Sequence, residues 1–489
     1  MLAIQTMISV LQRLKINHVT CQEEADRDAA ALANYLNCPV ISNDSDFFIF
    51  PLNYGFIPVG KLSFIPVEEK CECCVTGTHF YLSCSIFQHS HFHLRSSKHV
   101  PVNKDLLPLF SALVGNDFLS IDFFEKIFMQ NSNCRQMKNP SKITAILNWL
   151  HQFDDFDSAI AKVISFFNED KRTDLTRVLK SCVDQYDIDS SDLIESIKSD
   201  LPEIDHDEPD GFDRVKRGLG CGLLLPVLVN SISSGNVFLH AYVESVPRNS
   251  IHSVAMAIRI QYYRELCRLA QKSDGTISEY TRNGKNVSKT KIDIQELDSI
   301  ANVGYVDRIP ADDDWDSFIK WMISYWVKMS DKALLTFPVV LGVIVSIFIQ
   351  LAWQQELATV GTNFRKERYE NQVYKFFRDP VISNVTKFQT ELVHACNELQ
   401  AVYFSLVQLL CLNRSLKTVR SLPGPQDLFS GKLCYNLIQD FRKRKNCWNY
   451  ACQLLDCFPC DKVKTRFQDA ISAVGEIWPE FELFVSRTN

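Results

Sequence analysis

Hydrophobic and polar positions in residues 1–50 alternate in a way that predicts helix, strand, helix and strand in turn. A helical stripe over residues 7–14 is followed by the extended run INHVTC, a second helical stripe over residues 23–36 and the short run CPVIS. Apolar residues three or four positions apart form one face of a helix, whereas short β-branched runs favour strands. The alternation is typical of parallel βαβ units.

Apolar residues also predict which face of the second helix is buried. Ala25, Ala29, Leu32 and Leu36 recur at intervals of three or four positions. Residues so spaced lie on one side of a helix. We therefore expect this stripe to pack on the sheet.

The rest of the chain changes character several times. Twelve Asp or Glu residues and one Lys lie between Asp184 and Asp213, and such a charge run is typical of a solvated linker. The predicted stretches are, in order, short strands and loops over 51–100, a helix over 105–114, helices over 141–186, the acidic linker over 184–213, and helices over 214–489 around a polar strand-or-loop stretch at 273–298. The sequence thus predicts an α/β domain over residues 1–183, a linker over 184–213 and a mostly α-helical domain over 214–489.

One uncharged stretch of 21 residues, Ala333 to Trp353, is long enough to cross a bilayer. Pro338, Gly342 and Gln350 dilute it, and no cluster of basic residues flanks one side. A buried central helix wrapped by other helices therefore fits better, and we expect no membrane association.

Composition narrows the class of protein. The chain has 489 residues, of which 46% are hydrophobic and 22% charged, as in ordinary globular proteins. Its net charge of −6 argues against a protein that coats DNA through a global basic field. The 17 cysteines are odd in number and scattered, which favours reduced thiols in the nucleus or the cytoplasm.

Acidic residues cluster on both sides of the second helix. They are Glu23, Glu24, Asp26 and Asp28 at the helix start, and Asp44 and Asp46 after the next strand. Either group alone has a structural interpretation, since acids complement a helix N-terminus and NDSD is also typical of a turn. Spacing two on an extended segment, however, points both carboxylates of the pair to one face. Together with Asp117 they predict a site for a hard cation such as Mg²⁺.

These segments resemble a known nuclease region. EEADRDAAALA, CPVISNDSDFFIF and LVGNDF are similar to the internal region of the flap-endonuclease and XPG superfamily, and most closely to its Asteroid homologue branch. The resemblance implies a PIN-like α/β fold in which carboxylates hold two Mg²⁺ or Mn²⁺ ions for DNA phosphodiester hydrolysis. It implies that Glu24, Asp44, Asp46 and Asp117 are metal ligands and catalytic residues. Asp28 is a candidate for a residue that contacts these ligands without binding the ions itself.

The chain departs from that family pattern at three places. Gln22 stands where the family has the first acid of its E-x-E pair, and no G-x-G clamp motif follows Asp117. Two aspartates that the family carries on earlier strands are not found before Gln22. The sequence therefore predicts an incomplete PIN-like domain in an N-terminally shortened form, with an impaired metal site.

Two functions compete on these grounds. The resemblance implies a metal-dependent, structure-specific DNA endonuclease of repair, acting on single-stranded, overhang or junction DNA in the nucleus. The alternative is a noncatalytic PIN-like adaptor, in growth-factor receptor signalling, with protein partners bound through the helical C-terminal region. The four acids favour the nuclease, whereas Gln22 favours the adaptor.

Two further groups have competing interpretations. Cysteines and histidines over residues 71–93 could bind zinc, but the C-x-C-C spacing is unlike that of known zinc sites. The basic run formed by Arg442, Lys443, Arg444 and Lys445 is typical of a solvated helix face. It is also the best candidate for a DNA-backbone contact or a nuclear import signal.

Overall fold

The chain forms two compact units. A computed structural model describes residues 2–21, 25–67, 79–83, 103–115, 142–191, 193–194, 211–240, 242–272, 276–294, 314–360, 376, 389–458 and 461–488. The smaller unit, which we call the α/β unit, spans Cys21–Leu201. The larger one, the helical unit, combines Met1–Thr20 with Pro202–Asn489.

Helix α1 (Leu2–Arg13) belongs to the helical unit, although the sequence pattern placed it in the N-terminal domain. Arg13 donates two hydrogen bonds, of 2.6 and 2.7 Å, to the carboxylate of the buried Asp427. Ile8 also lies against Gly222, where a Cβ atom would come within 2.7 Å of the isoleucine Cδ1. An ion pair and a close apolar contact therefore hold α1 to residues more than 200 positions away.

The α/β unit contains five helices and two separate pairs of strands among its described residues. In chain order they are α2 (Ala25–Tyr35), β1 (Val40–Ser42), β2 (Phe56–Pro58), β3 (Ser63–Val67), β4 (His79–Ser83), α3 (Leu107–Val114), α4 (Lys142–Leu150), α5 (Phe156–Ser165) and α6 (Glu169–Asp184). Strands β1 and β2 are parallel, with Ile41 opposite Ile57, and β3 and β4 are antiparallel. The helices predicted over 105–114 and 141–186 are confirmed.

The strand predicted for INHVTC is wrong, because these residues form no strand. Lys15 ends α1 with a φ of +54°, and the Ile16 amide donates to the Leu11 carbonyl. This bond closes the helix end, and the chain then continues without a neighbouring strand. The described residues thus contain one parallel pair in this unit, and a larger PIN-like sheet stays a prediction.

Helix α2 also buries a different face from the predicted one. Ala30 and Ala33 lie in the core with Val40 and Phe47, whereas the side chain of Leu36 is 58% exposed. Small alanine side chains let a helix approach its neighbours closely. Here α2 contacts β1 and the 3₁₀ turn Ser45–Phe48.

The helical unit confirms the mostly α-helical C-terminal region. Its remaining elements are α7 (Phe212–Gly220), α8 (Pro226–Val229), α9 (Ser231–Ser234), β5 (Asn236–Phe238), α10 (Met256–Leu269), β6 (Thr276–Asn283), β7 (Asn286–Asp293), α11 (Trp315–Met329), α12 (Phe337–Val360), α13 (Thr390–Asn413), α14 (Leu416–Ser421), α15 (Pro425–Leu428), α16 (Gly431–Arg442), α17 (Cys447–Asp456), α18 (Asp461–Ile477) and α19 (Pro479–Thr488). Within the polar stretch predicted at 273–298, the described residues form the β6–β7 hairpin.

Helix α12 is the centre of this unit and is wrapped by other helices, as predicted. It contacts α13, α15, α16, α17 and α18. A Cβ atom on Gly342 would lie 2.6 Å from Ile438 Cγ1, so the missing side chain lets α12 and α16 approach closely. Two described segments are long and apolar enough to cross a membrane, Phe337–Gln354 and Thr390–Asn413, and 83% and 89% of their residues are buried.

Candidate metal centre

Asp44 and Asp46 follow the carboxyl end of β1, which lies beside the parallel strand β2. In open parallel sheets this is the edge at which ligands bind. Asp44 is exposed and Asp46 is partly exposed. Both residues therefore lie at the end of the parallel pair, where a hard cation could reach their carboxylates from solvent.

The local geometry of the pair differs from the extended segment that the sequence predicts. Asp44 is extended, but Asp46 lies in the 3₁₀ turn Ser45–Phe48. The Asp44 carboxylate accepts a 3.0 Å hydrogen bond from the Asp46 amide, and the Ser42 hydroxyl accepts one of 3.0 Å from the Asp44 amide. A short acidic side chain that bonds the backbone two residues later forms a turn instead of extending the strand.

The carboxylate of Asp46 is held by a buried tyrosine. The Tyr186 hydroxyl donates a 2.7 Å hydrogen bond to Asp46 Oδ2. Tyr186 Oη also lies 2.5 Å from Ser111 Oγ, on α3. Since the single tyrosine proton points to Asp46, the serine hydroxyl donates to the tyrosine oxygen. A chain of two hydroxyls from the core thus orients one candidate ligand.

Asp28, in the first turn of α2, has its own partner. Its Oδ1 accepts a 2.8 Å hydrogen bond from the Ser191 hydroxyl. Burial raises the pKa of the Cys21 thiol to about 12, reinforced by the nearby carboxylates of Asp28 and Asp26. The thiol therefore stays protonated at neutral pH, beside the two acidic side chains in the first turn of α2.

Glu24 and Asp117, the other two predicted ligands, lie outside the described residues, as does Gln22. Glu24 immediately precedes α2 in the sequence, and Asp117 follows the end of α3 by three positions. Among the residues that the structure describes, no group of three or more His, Cys, Asp or Glu side chains is arranged to hold a metal ion. Convergence of the four acids in one cleft stays a prediction.

The donor chemistry of the described part fits the implied ion. Asp44 and Asp46 offer carboxylate oxygens, which are the ligands that Mg²⁺ and Mn²⁺ prefer. Tyr186 orients one of them in the way that outer hydrogen bonds orient metal ligands. These two residues would hold part of a coordination shell and would need further donors to complete it.

Sequence reasoning missed the hydroxyl residues behind the acids. Ser111, Tyr186 and Ser191 are 65 or more positions from the carboxylates that they orient, directly or through one another. No local pattern relates such distant positions. The only signal was the single polar residue Ser111 in an otherwise apolar helix.

The basic run at the end of α16 is partly engaged within the protein. Arg442 donates a 2.7 Å hydrogen bond to Gln389, and Arg444 donates to Asp440 at 2.8 Å while lying 3.4 Å from the centre of the Tyr450 ring. Lys443 and Lys445 are exposed. The segment at 71–93 is described only over His79–Ser83, in β4, and its zinc interpretation otherwise lies outside the described residues.

Comparison with known proteins gives relatives of one family. Residues 317–481 match the model of the Asteroid N-terminal domain. The chain is 27% identical over 314 residues to the Homo sapiens protein named single-strand DNA endonuclease ASTE1, covering 60% of the chain and 44% of that protein. It is 30% identical over 280 residues to the Danio rerio protein of that name and 31% identical over 214 residues to Protein asteroid of Drosophila melanogaster.

The helical unit is therefore similar to the Asteroid N-terminal domain over residues 317–481. This match lies entirely in the helical unit, so it covers none of the four predicted acidic ligands. Coverage of the Danio rerio protein is 54% of this chain and 37% of that protein; for Protein asteroid the shares are 34% and 24%. The chain thus spans less than half the length of each of these relatives. No solved structure matches it.

Proposed function

We propose that this chain is part of a metal-dependent endonuclease that cuts single-stranded or overhang DNA. The observation that carries the proposal is the acidic pair at the end of β1, with Asp46 oriented by a buried tyrosine. Relatives with the name single-strand DNA endonuclease support the substrate class. Nuclear repair is the setting in which such an activity would serve, and protein partners would bind the helical unit.

The chemistry requires carboxylates because phosphodiester hydrolysis places negative charge on the attacking and the leaving oxygen. Bound divalent ions would supply the positive charge that stabilises both oxygens and activates a water molecule. Asp44 and Asp46 would supply ligand oxygens, together with Glu24 and Asp117. Asp28, held by Ser191, would keep the opening turn of α2 negative and so favour cation binding.

The test replaces both members of the pair, Asp44→Asn with Asp46→Asn, in the full chain. Cleavage of a labelled single-stranded oligonucleotide is measured with Mg²⁺ or Mn²⁺, and Mn²⁺ binding is measured by calorimetry. We expect weak cleavage by the parent chain, its loss in the double variant, and weaker Mn²⁺ binding.

The matched control is Asp157→Asn with Asp170→Asn, two exposed acids in the first turns of α5 and α6. This variant removes the same charge far along the sequence from the pair, and we expect it to cut as well as its parent. Metal-independent cleavage, or a double variant at positions 44 and 46 as active as the parent, would overturn the nuclease proposal and favour the adaptor.

A further inference from the structure

One face of the three-stranded sheet in the helical unit carries aromatic and basic side chains. Strands β5, β6 and β7 lie side by side, with Phe238 opposite Tyr280 and Tyr280 opposite Lys289. These three residues form one row across the sheet. Because side chains alternate along a strand, Lys291 lies two positions further along on the same face. We call this surface the sheet platform.

The platform carries an aromatic pair, in which the exposed Phe238 packs on the partly exposed Tyr280. The rings of Phe238 and Tyr280 are stacked, with their centres 4.3 Å apart and their planes 12° from parallel. Phe238 is 62% exposed. Lys289 Nζ lies 5.5 Å from the centre of the Tyr280 ring. The stacked pair thus presents Phe238 to solvent, while Lys289 lies over the Tyr280 ring.

Basic residues continue along β7 and into the hairpin turn. Lys285, Lys289 and Lys291 are all exposed. Arg282, unlike these lysines, is already engaged within the protein, because it donates hydrogen bonds of 2.6 and 2.9 Å to Glu244. One exposed acid, Asp293 at the end of β7, lies on the same face two positions beyond Lys291. Three lysines therefore make the hairpin locally positive in a chain of net charge −6.

The opposite face of the sheet is fixed in the core. Ile277 and Ile292 pair across β6 and β7 and are each 3% exposed. Glu279 accepts two hydrogen bonds from the buried Arg259, of 2.7 and 2.9 Å, and one of 2.8 Å from Tyr263. The inner face of the sheet is thus packed in the core, whereas Phe238 on the outer face is exposed.

A stacked aromatic pair beside lysines is suited to binding an unpaired nucleic-acid strand. Bases of a single strand stack on aromatic side chains without regard to sequence, and lysines bind the phosphates. The outer face of an antiparallel hairpin is ordinarily polar. A duplex keeps its bases stacked inside and would offer the rings no partner.

We propose that the sheet platform binds single-stranded DNA, with a base stacked on Phe238 of the Phe238–Tyr280 pair and phosphates on Lys285, Lys289 and Lys291. The choice of DNA rests on the proposed endonuclease function, because that function requires a single-stranded DNA substrate. The platform would supply a contact outside the metal centre.

Binding of a fluorescein-labelled oligothymidylate to the full chain tests the proposal. Anisotropy is measured in EDTA, so that cleavage does not contribute. We expect Phe238→Ala to weaken binding on the order of 10-fold, as the loss of one stacked base predicts. Lys289→Ala with Lys291→Ala should lower the slope of log affinity against log salt by about 1.4, since each phosphate contact to a single strand contributes about 0.7.

Matched controls test whether any loss of binding comes from the platform residues and not from removing exposed lysines or phenylalanines in general. Lys320→Ala with Lys462→Ala removes two other exposed lysines of the helical unit. Phe484→Ala removes another exposed phenylalanine, which is 50% exposed on α19. We expect both controls to bind as the parent does. Ultraviolet crosslinking of a bromodeoxyuridine strand should label Phe238 or Tyr280.

The outcomes separate this inference from the proposed function. Unchanged binding in both platform variants, or labels only elsewhere, overturns the platform and leaves the endonuclease in place. Equal weakening by the control lysines also overturns it. If the Asp44→Asn, Asp46→Asn variant still cuts DNA while platform variants bind poorly, the endonuclease site is wrong but the platform stands. Preferred binding of duplex or RNA overturns the stated ligand.

Discussion

Single hydrogen bonds decide how the acidic pair is presented. Asp46 is oriented by Tyr186, which in turn accepts a hydrogen bond from Ser111, so the position of one carboxylate depends on two side chains from the core. Asp44 instead caps its own turn. Different hydrogen bonds therefore orient the two candidate ligands, and each bond can be removed separately by substitution.

Replacing Tyr186 by Phe should weaken metal binding while retaining the ring. The ring packs on Phe50 with their centres 4.9 Å apart, and this contact is kept. Loss of an orienting hydrogen bond to a metal ligand costs roughly 10-fold in affinity or more. We expect Mn²⁺ affinity, measured by calorimetry, to fall by about that factor. Affinity equal to that of the parent would show that Asp46 does not bind the ion.

Ser111→Ala serves as the graded control for that change. It removes the hydrogen bond to Tyr186 but leaves the one to Asp46. We expect a smaller loss of Mn²⁺ affinity than with Tyr186→Phe, and a loss of unfolding free energy of about 1 kcal/mol. A larger effect of Ser111→Ala on affinity would contradict the proposed order of the two hydroxyls.

His252 should make the helical unit sensitive to mild acid. Burial, with a contribution from the nearby Arg259, lowers the pKa of His252 to about 4. The unfolded chain binds the proton below about 6.5, the ordinary pKa of histidine, whereas the folded chain does not. The unfolding free energy is therefore highest above pH 6.5 and decreases as the pH falls from 6.5 to 4.

The measurement is the unfolding free energy of the full chain in urea at pH 7 and pH 5. His252 bonds the His240 carbonyl at 2.8 Å, and His252→Gln keeps a side-chain amide there without a titrating group. We expect the parent to lose roughly 2 kcal/mol between the two pH values, at 1.36 kcal/mol per unit of pKa difference, and the variant to lose less. Equal losses would contradict the assignment.

At the scale of elements, close packing of α12 against α16 depends on one missing side chain. Gly342→Ala would place a Cβ atom 2.6 Å from Ile438 Cγ1 and 3.2 Å from its Cα, so the helices would have to separate. Overpacking of this kind costs about 1 to 3 kcal/mol. We expect that loss of unfolding free energy in urea denaturation.

Gly431→Ala is the matched control, because nothing lies within 4 Å of a Cβ atom there. It should be neutral or slightly stabilising. The pair Gly342→Ala with Ile438→Ala should be more stable than the sum of the two single changes predicts, since the new methyl group partly fills the space vacated by the isoleucine. If the two losses of unfolding free energy were simply additive, the strain in Gly342→Ala would not arise from contact with Ile438.

At the scale of the whole molecule, α1 should depend on the ion pair between Arg13 and Asp427. Asp427 is 4% exposed and also accepts a 2.8 Å hydrogen bond from the Gly424 amide. Arg13→Met leaves that carboxylate buried without its cation, which is unfavourable. We expect faster amide hydrogen exchange over residues 2–13, read by mass spectrometry, than in the parent or in Lys15→Met. Unchanged protection would contradict the role of this pair.

Elements that depend on local pattern were predictable. The apolar stripe over 105–114 and the helices over 141–186 follow from the spacing of residues, and the uncharged run at 333–353 became a buried helix because it has no polar face. The resemblance to the Asteroid family was also carried by short motifs. These features depend on residues within one or two turns of each other.

Partners that are distant in the chain were decided by tertiary structure alone. The sequence determined that Asp44 and Asp46 follow a short strand, but only folding placed Tyr186 beside Asp46, 140 positions away. It determined that residues 7–14 form a helix, but only folding joined that helix to Asp427. The row of Phe238, Tyr280 and Lys289 likewise exists only through strand pairing. Local periodicity fixes which face an element presents, whereas the free energy of burying many surfaces together selects which elements meet.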